Sequence, residues 1–255
     1  YFKVFLAVDE ENISEGAWRA VRQNRKFFSD VDLIISPEPN FGIGINGILR
    51  GRTGRNIFTV SFEGKPAHIA HYKEGIDAIL LLSDFVTRLY NIRNKIFHSR
   101  GSYIQVRRID GEAVGMSVCG YASVEVEVLT SYKDDINEIQ QRIQSLTKAK
   151  VKLKTRKTPY LQGYYFKTFP YRQIIGNLIL KNTNKKMKLH TRMSVGDDNA
   201  LATLGIPVIT WGPDGGNAHA PNEYVTKTSL DVLSRMFYEF LEKRELTVES
   251  KTIKG

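Results

Sequence analysis

The chain has 255 residues, of which 42% are hydrophobic and 25% charged, and its formal charge is +10. This composition excludes a disordered tail, and the single cysteine, Cys119, excludes an internal disulfide framework and a cysteine-rich metal site. No apolar run is long enough to cross a bilayer and no signal peptide is visible, so we expect a cytoplasmic globular protein that does not act at a membrane. The positive charge by itself is compatible with a nucleic acid, a membrane surface or an acidic protein as partner and does not choose among them.

The first fifty residues alternate predicted strands with a helix. Residues 2–8 form an apolar run typical of a buried strand, and residues 31–36 form a second. Between them, residues 14–24 predict a helix with Trp18 and Val21 on one face. Strands separated by a helix indicate a parallel α/β sheet.

The pattern changes near Gly51, where a second and complete unit begins. Its predicted elements follow the order strand, helix, strand, strand, helix, strand, and they cover residues 56–62, 73–93, 101–109, 123–130, 134–146 and 149–156. The strands alternate apolar and polar residues, which is typical of strands with one buried face. This order is the ferredoxin-like arrangement, so we expect a self-contained domain inserted into the first.

The α/β pattern then returns. Residues 171–180 predict a helix, residues 205–212 a buried strand, and residues 227–244 a last helix. The apolar side chains of that helix share one side and are Leu230, Val232, Leu233, Met236, Phe237 and Phe240.

These patterns predict a parallel-sheet α/β domain that is interrupted by a ferredoxin-like domain. We assign residues 1–50 to the first part of the α/β domain, residues 51–157 to the insertion and residues 158–255 to the second part. The chain lacks an initiator methionine and opens directly into an apolar run, so we expect it to begin partway into the α/β domain.

Acidic residues follow two of the predicted strands. Glu10 and Glu11 come just after the first strand, and Glu38 lies between two prolines after the second. Parallel sheets gather their ligands at the carboxyl ends of the strands. Adjacent carboxylates repel each other; a metal ion would relieve that repulsion, and one carboxylate would take a proton from water. For each acid taken alone, a solvated turn is the commoner explanation.

Two polar segments lie near the end of the chain. His219 stands in a Gly-rich segment before the last helix, where it is either a metal ligand or a histidine bonded to nearby backbone. Two carboxylates and an imidazole suit zinc, cobalt or manganese. Asp197, Asp198 and Asn199 open a predicted helix, where they either cap the helix or form a polar wall for a cationic substrate.

A basic strip is predicted on the last inserted strand. Lys150, Lys152, Lys154 and Arg156 share one parity, which places their charges on one face of the sheet. The strand is expected at a sheet edge beside the first inserted strand, where Thr59 and Ser61 face the same way and neutralise nothing. The strip either protects the edge from aggregation or binds an acidic partner. No interleaved aromatic residues accompany it, so nucleic acid is disfavoured.

Five segments of the chain form one ordered set: AVDEEN, ISPEP, GRTGRNIFTVSFEGKPAHIA, GDDNALATLGIPVITWGP and AHAPNEYV. In order and spacing they resemble one family of enzymes, the co-catalytic zinc amidohydrolases that include acetylornithine deacetylase, succinyl-diaminopimelate desuccinylase, aminoacylase and glutamate carboxypeptidase. Within the family the chain looks most like the archaeal-type lysine and ornithine hydrolase, or acetyl-lysine deacetylase, which releases the amino acid from an acidic amino-group carrier protein.

The resemblance implies a role for each matching residue. Glu10 looks like the general base, Glu11 and His219 like ligands of one metal ion, and Glu38 like a ligand of the other. His68 looks like the histidine that reaches the active site of the partner subunit in family dimers and polarises the scissile carbonyl. The resemblance thus implies two divalent metal ions, zinc or else cobalt, and a homodimer that forms through the inserted domain.

The chain also departs from the family. The His-x-Asp pair and the bridging aspartate of the family are absent from it, so we expect these 255 residues to be inactive alone. The family's Asn-apolar-apolar-Pro stretch reads Met116-Ser117-Val118-Cys119 here, and the position of its lid arginine falls near Leu129. The usual contacts to the carboxylate side of the substrate are therefore altered.

The resemblance implies hydrolysis of an amide that links lysine or ornithine to an acyl group or a carrier protein, in lysine or arginine biosynthesis. One alternative is a dipeptidase or aminoacylase on the same scaffold. The other is a catalytically incomplete module that only dimerises.

Overall fold

The computed structural model describes residues 2–97, 101–166 and 171–242. The chain divides into two compact units. The first comprises Tyr1–Gly51, Tyr165–Arg192 and Ala200–Gly255, and the second comprises Arg52–Tyr164 and Met193–Asn199. The short segment Met193–Asn199 thus joins the second unit although it lies well beyond the predicted insertion.

Helices and strands are numbered in chain order within the described residues. The helices are α1 (Glu15–Gln23), α2 (Ala78–Ile92), α3 (Ile136–Gln144), α4 (Arg172–Thr183), α5 (Asp197–Ala202) and α6 (Lys227–Glu242). The strands are β1 (Ile34–Ser36), β2 (Gly47–Arg52), β3 (Gly54–Glu63), β4 (Tyr103–Gly111), β5 (Tyr121–Thr130), β6 (Lys150–Leu153), β7 (Tyr164–Tyr165), β8 (Lys188–Arg192), β9 (Val208–Thr210), β10 (Gly215–Gly216) and β11 (Tyr224–Val225). None of these helices is both long and apolar enough to cross a membrane.

A five-stranded sheet has the order β1-β9-β2-β7, with β8 also paired to β2. Strands β1 and β9 run parallel, with Ile34 opposite Val208. Strand β2 pairs with β9 in the antiparallel sense through Leu49 and Thr210. The α/β class is as predicted, but the sheet is mixed rather than parallel throughout.

The first predicted strand is wrong. Residues 2–8 form no strand, and the apolar side chains that alternate along them are exposed, with Leu6 at 86% and Val8 at 70% of their full area. An apolar run becomes a strand only where a neighbour takes its backbone hydrogen bonds, and no described strand pairs with this one. The helix that follows is as predicted, because α1 buries Trp18 and Val21.

The core of the first unit lies between its sheet and helices α4 and α6. Its fully buried side chains include Ile48, Ile175, Ile209, Trp211 and Met236. The indole N–H of Trp211 donates to the carbonyl of Ile45 at 3.0 Å, which satisfies the one polar group of this side chain. The predicted apolar side of α6 is found except at Leu230, which is 40% exposed, and the predicted end of that helix at residue 244 lies outside the described residues.

The second unit has the predicted ferredoxin-like order. Its antiparallel sheet runs β4-β5-β3-β6, so β6 lies at an edge beside β3. Val60 of β3 stands opposite Val124 on one side and Val151 on the other. Helices α2 and α3 contribute Phe85 and Ile143 to the same buried cluster.

Helix α2 is shorter than predicted because it begins at a side-chain cap. The carboxylate of Asp77 accepts from the backbone N–H of Ile79 at 2.8 Å and of Leu80 at 3.3 Å. Such caps satisfy N–H groups that have no partner within a helix. The residues before the cap, Ile69–Glu74, form a separate 3₁₀ turn.

His190 on β8 should make stability depend on pH. Burial, together with the nearby positive charge of Lys188, lowers the pKa of His190 below 6.5. The unfolded chain therefore binds this proton more readily, so stability is complete above the unfolded value of 6.5 and falls as pH drops below it. Urea unfolding at about pH 7.5 and about pH 5.5 checks this, with the expected difference reduced in His190→Gln. The matched change at exposed His71 should leave the difference in place, and an unaltered difference in His190→Gln would contradict the assignment.

Candidate active site

Two of the predicted metal ligands meet in the first unit. The Nδ1 atom of His219 lies 3.6 Å from Oε2 of Glu11, and the two side chains are 78% and 77% exposed. His219 has a left-handed backbone conformation, with φ 57°, and its N–H donates to the carboxylate of Glu223 at 3.3 Å. The loop around His219 thus holds an imidazole against an acidic residue from the start of the chain.

A tight turn presents the acidic pair. Asp9 and Ser14 both have positive φ values, 65° and 53°, and the N–H of Ser14 donates to the carbonyl of Asp9 at 2.8 Å. Aspartate tolerates this left-handed conformation better than most residues. The turn leaves Glu10 half-buried and Glu11 exposed just before α1.

Glu38 occupies the carboxyl end of β1, as the sequence predicts. Strands β1 and β9 are parallel, so the residues that follow them lie at the same edge of the sheet. The backbone of Glu38 packs directly against Gly212, where a Cβ atom would lie 1.6 Å from the Glu38 carbonyl oxygen. Only glycine fits there, and it brings the loop that leads to His219 against Glu38.

The structure brings together only part of the predicted metal site. In the described ranges, no group of three or more His, Cys, Asp or Glu side chains is placed to hold a metal ion. Glu11 and His219 supply carboxylate oxygen and imidazole nitrogen, which are donors that zinc accepts, but catalytic zinc sites use three protein ligands. The donors fit zinc in type and are too few in number.

His68 lies in the second unit at the start of the 3₁₀ turn Ile69–Glu74. Its Nδ1 accepts from the backbone N–H of Ala70 at 3.2 Å, so a neutral ring carries its proton on Nε2. Its main chain pairs with Ser117 in an isolated bridge, which ties this turn to the segment before β5. The exposed imidazole is thus set to donate from Nε2.

Asp198 stands in a buried polar cluster of the second unit. Its carboxylate accepts from Nε of Arg52 at 2.6 Å and from the hydroxyl of Tyr164 at 2.8 Å. Arg52 also donates to Oγ of Ser194 at 2.7 Å, and the side chains of the ion pair are only 3% and 0% exposed. The cluster secures the segment Met193–Asn199, and no pattern in the sequence pointed to Arg52 or Tyr164 as its partners.

Asn199 also holds the segment Met193–Asn199 in place. Its Nδ2 donates to the carbonyls of Thr53 at 2.9 Å and Gln162 at 2.8 Å, while its Oδ1 accepts from the N–H of Gly196 at 2.9 Å. The substrate-wall role suggested for Asp197, Asp198 and Asn199 stays a prediction. The contacts that are seen for Asp198 and Asn199 hold the second unit together.

The basic strip carries less charge than the sequence suggests. Lys150 and Lys152 are exposed on β6, but Lys154 pairs with Glu125 of β5. Glu125 stands opposite Thr59, which places it on the strip's face of the sheet, one strand further in. Arg156 lies 4.8 Å from the ring centre of Tyr160. The exposed positive charge is therefore concentrated at Lys150 and Lys152.

Glu127 adds a second acid to that face. Burial would raise the pKa of Glu127, but hydrogen bonds from Gln105 and Arg55 and the positive charge of Arg55 outweigh it and hold the pKa below 4.5. Glu127 is therefore ionised in the folded chain at neutral pH. The outward face of the sheet holds its own ion pairs, and they reduce its net charge.

Comparison with known proteins matches part of the chain to a domain family. Residues 50–154 match the family described as peptidase dimerisation domain. Over 247 residues the chain is 24% identical to succinyl-diaminopimelate desuccinylase of Pseudomonas syringae pv. syringae, covering 93% of this chain and 64% of that protein. The same enzyme of Ectopseudomonas mendocina is 24% identical over 252 residues, with 93% and 64% covered. The chain therefore spans just under two thirds of the length of these relatives.

Solved structures share the fold. The aminopeptidase PepT of Bacillus cereus superimposes with a TM-score of 0.68 at 15% identity, covering 90% of this chain and 60% of that one. A dinuclear metal binding peptidase of the M20 family from Bacillus subtilis gives 0.65 at 17% identity, covering 90% and 61%. These likenesses confirm the predicted fold class, and the matches support the resemblance to the family that includes the desuccinylases.

Proposed function

We propose that this chain forms the larger part of a metal-dependent amidohydrolase that releases lysine or ornithine from an N-acylated or carrier-linked precursor. The observation that carries the proposal is the 3.6 Å approach of His219 to Glu11. Glu10 adjoins Glu11 in the turn before α1, Glu38 follows the carboxyl end of β1, and His219 lies in a Gly-rich loop. The desuccinylase relatives, which are 24% identical to the chain, support the reaction class.

Each residue would have a separate task. Glu11 and His219 would hold one divalent metal ion and Glu38 the other, and these ions when bound supply Lewis-acid polarisation of the amide carbonyl. The Glu10 carboxylate would accept the proton of the attacking water and deliver it to the leaving amine. The Nε2–H of His68 would donate to the carbonyl oxygen as negative charge develops there. In a homodimer, which the matched dimerisation domain supports, this histidine would serve the partner's site.

Zinc binding tests the ligand assignment without any substrate. Equilibrium dialysis should show that Glu11→Gln and His219→Gln each weaken zinc binding to this chain by about tenfold or more, because each removes one of few donors. His71→Gln removes an exposed imidazole elsewhere and serves as the control. Unchanged affinity in both variants would remove Glu11 and His219 from the metal site.

A substrate panel tests the reaction. A protein that combines this chain with the family's remaining metal donors should hydrolyse N-acyl lysine or N-acyl ornithine faster than N-succinyl-diaminopimelate, dipeptides or tripeptides. Preference for the succinyl compound would assign the desuccinylase reaction, which is that of the relatives described above. Preference for dipeptides would assign a peptidase. Hydrolysis of none with zinc or cobalt would leave only a dimerising module.

The basic strip supports an acidic carrier protein as the form in which the substrate arrives. Lys150→Gln combined with Lys152→Gln should weaken carrier binding several-fold at low salt and leave turnover of small N-acyl substrates unchanged. Lys95→Gln with Lys133→Gln makes the same charge change elsewhere on the second unit and is the control. Equal losses with both pairs, or carrier affinity that does not weaken as salt is raised, would contradict the docking role.

A further inference from the structure

A cavity in the first unit has no role in the proposed hydrolysis. Its volume is about 410 Å³, and its lining includes Gly42, Asn46, Lys185, Lys186, Lys188 and Asp214. None of the residues with a predicted catalytic or metal-binding role lines it. Cavities of this size accommodate small metabolites and nucleotides.

Three lysines give this cavity an uncompensated positive charge. Lys185 and Lys186 follow α4 and Lys188 begins β8, and all three are exposed. Across the described parts of the chain, no ion pair involves any of these three ammonium groups. A concave surface with charges of one sign concentrates oppositely charged ligands.

The carboxylate in the lining does not neutralise the lysines. Asp214 accepts from the backbone N–H of Ile45 at 3.2 Å, and its backbone N–H contacts Oγ of Ser229 at 3.0 Å. Its carboxylate packs directly against Gly44, where a Cβ atom would lie 1.1 Å from Oδ1. Asp214 is therefore held against the 3₁₀ turn Gly44–Asn46 and shapes the wall.

Asn46 contributes to the lining a polar atom that has no partner in the described part of the chain. The Oδ1 atom of Asn46 is buried without a hydrogen-bond partner among the described residues. An unsatisfied buried polar atom is costly, and a half-turn of the amide would present an N–H donor at the same place. Gly42 has φ 82°, and a Cβ atom there would meet nothing within 4 Å, so the main chain borders open space.

We propose that this cavity binds a small phosphorylated ligand, with Lys185, Lys186 and Lys188 around the phosphate groups and Asn46 donating to them. Phosphate esters carry close to two negative charges at neutral pH, which matches a cluster of lysines with a net positive charge. Lysine binds phosphate as a point charge. Arginine, which binds carboxylates through two parallel hydrogen bonds, is absent from the described residues of the lining.

Calorimetric titration of the 255-residue chain tests this with three probes: ATP, inorganic pyrophosphate and citrate. ATP or pyrophosphate should bind with a Kd of about 1 mM or lower and at least about tenfold tighter than citrate. No saturable binding would overturn the proposal. Citrate that binds as well as the phosphates would assign a polycarboxylate site and overturn the phosphate class.

Matched variants separate the cavity from general charge. Changing Lys185, Lys186 and Lys188 together to glutamine should weaken binding by about tenfold or more, and Asn46→Ala should weaken it by about threefold. The control changes Lys95, Lys133 and Lys148 to glutamine, which removes the same charge from the second unit. An equal loss in the control would show that the chain's overall positive charge, and not the cavity, binds the probe.

Discussion

Asp198→Ala should lower the free energy of unfolding by about 3–5 kcal/mol. The change removes the carboxylate that accepts from Nε of Arg52 and leaves the guanidinium charge buried without that counter-charge. It also removes the acceptor of the Tyr164 hydroxyl. Urea unfolding followed by circular dichroism measures the loss.

Two comparisons make this result specific. Lys181→Ala breaks the exposed pair with Glu239 at 2.8 Å and should cost less than about 1 kcal/mol. Arg52→Met combined with Asp198→Leu removes both charges and should recover much of the loss, because apolar pairs can replace buried ion pairs. A loss below about 1 kcal/mol in Asp198→Ala would show that the ion pair does not hold the segment.

The inserted domain was the most predictable part of the fold because its signals are local. In β3 and β5, strict alternation identifies the buried face, and Phe58, Val60, Val124 and Val126 are all inside. The edge position of β6 followed from the strand order alone. The alternation within each strand is fixed by residues near one another in sequence.

The wrong or missed predictions concern residues whose partners are distant in sequence. Residues 2–8 have the composition of a strand, but a strand also needs a neighbour, which composition does not reveal. Arg52 and Asp198 are 146 positions apart and meet only because Met193–Asn199 folds onto the second unit. Glu125 reduces the charge of the basic strip from one strand away, which the parity of a single strand does not show.

In the candidate site, too, the features set by local sequence were predicted, whereas the contacts between distant residues were left open by the residues alone. The position of Glu38 after β1 could be predicted because a strand followed by Pro-Glu-Pro must end there. The parallel pairing of β1 with β9 then places Glu38 at the carboxyl edge of the sheet. The approach of His219 to Glu11 depends on a left-handed residue and a Gly-rich loop. The residues alone left His219 as either a metal ligand or a backbone-bonded histidine, and the resemblance paired it with Glu11.

Glu10→Ala should reduce turnover of an N-acyl lysine or N-acyl ornithine by about 10²–10⁴-fold and leave zinc content near normal. The assay uses the protein proposed above for the substrate panel. Glu10 is half-buried in the turn before α1, whereas its neighbour Glu11 is the acid that contacts His219. With Glu10 as the proposed base and Glu11 as a proposed metal ligand, removing the base should stop proton transfer without releasing the metal ions.

The matched change at Glu11 completes the experiment. Glu11→Ala should lose both turnover and zinc, because it removes the carboxylate that approaches Nδ1 of His219. Glu10→Gln keeps the shape of the side chain without its basicity and should match Glu10→Ala in rate. Zinc lost from Glu10→Ala but retained in Glu11→Ala would exchange the two roles. Normal turnover in Glu10→Gln would mean that another group accepts the proton of the attacking water.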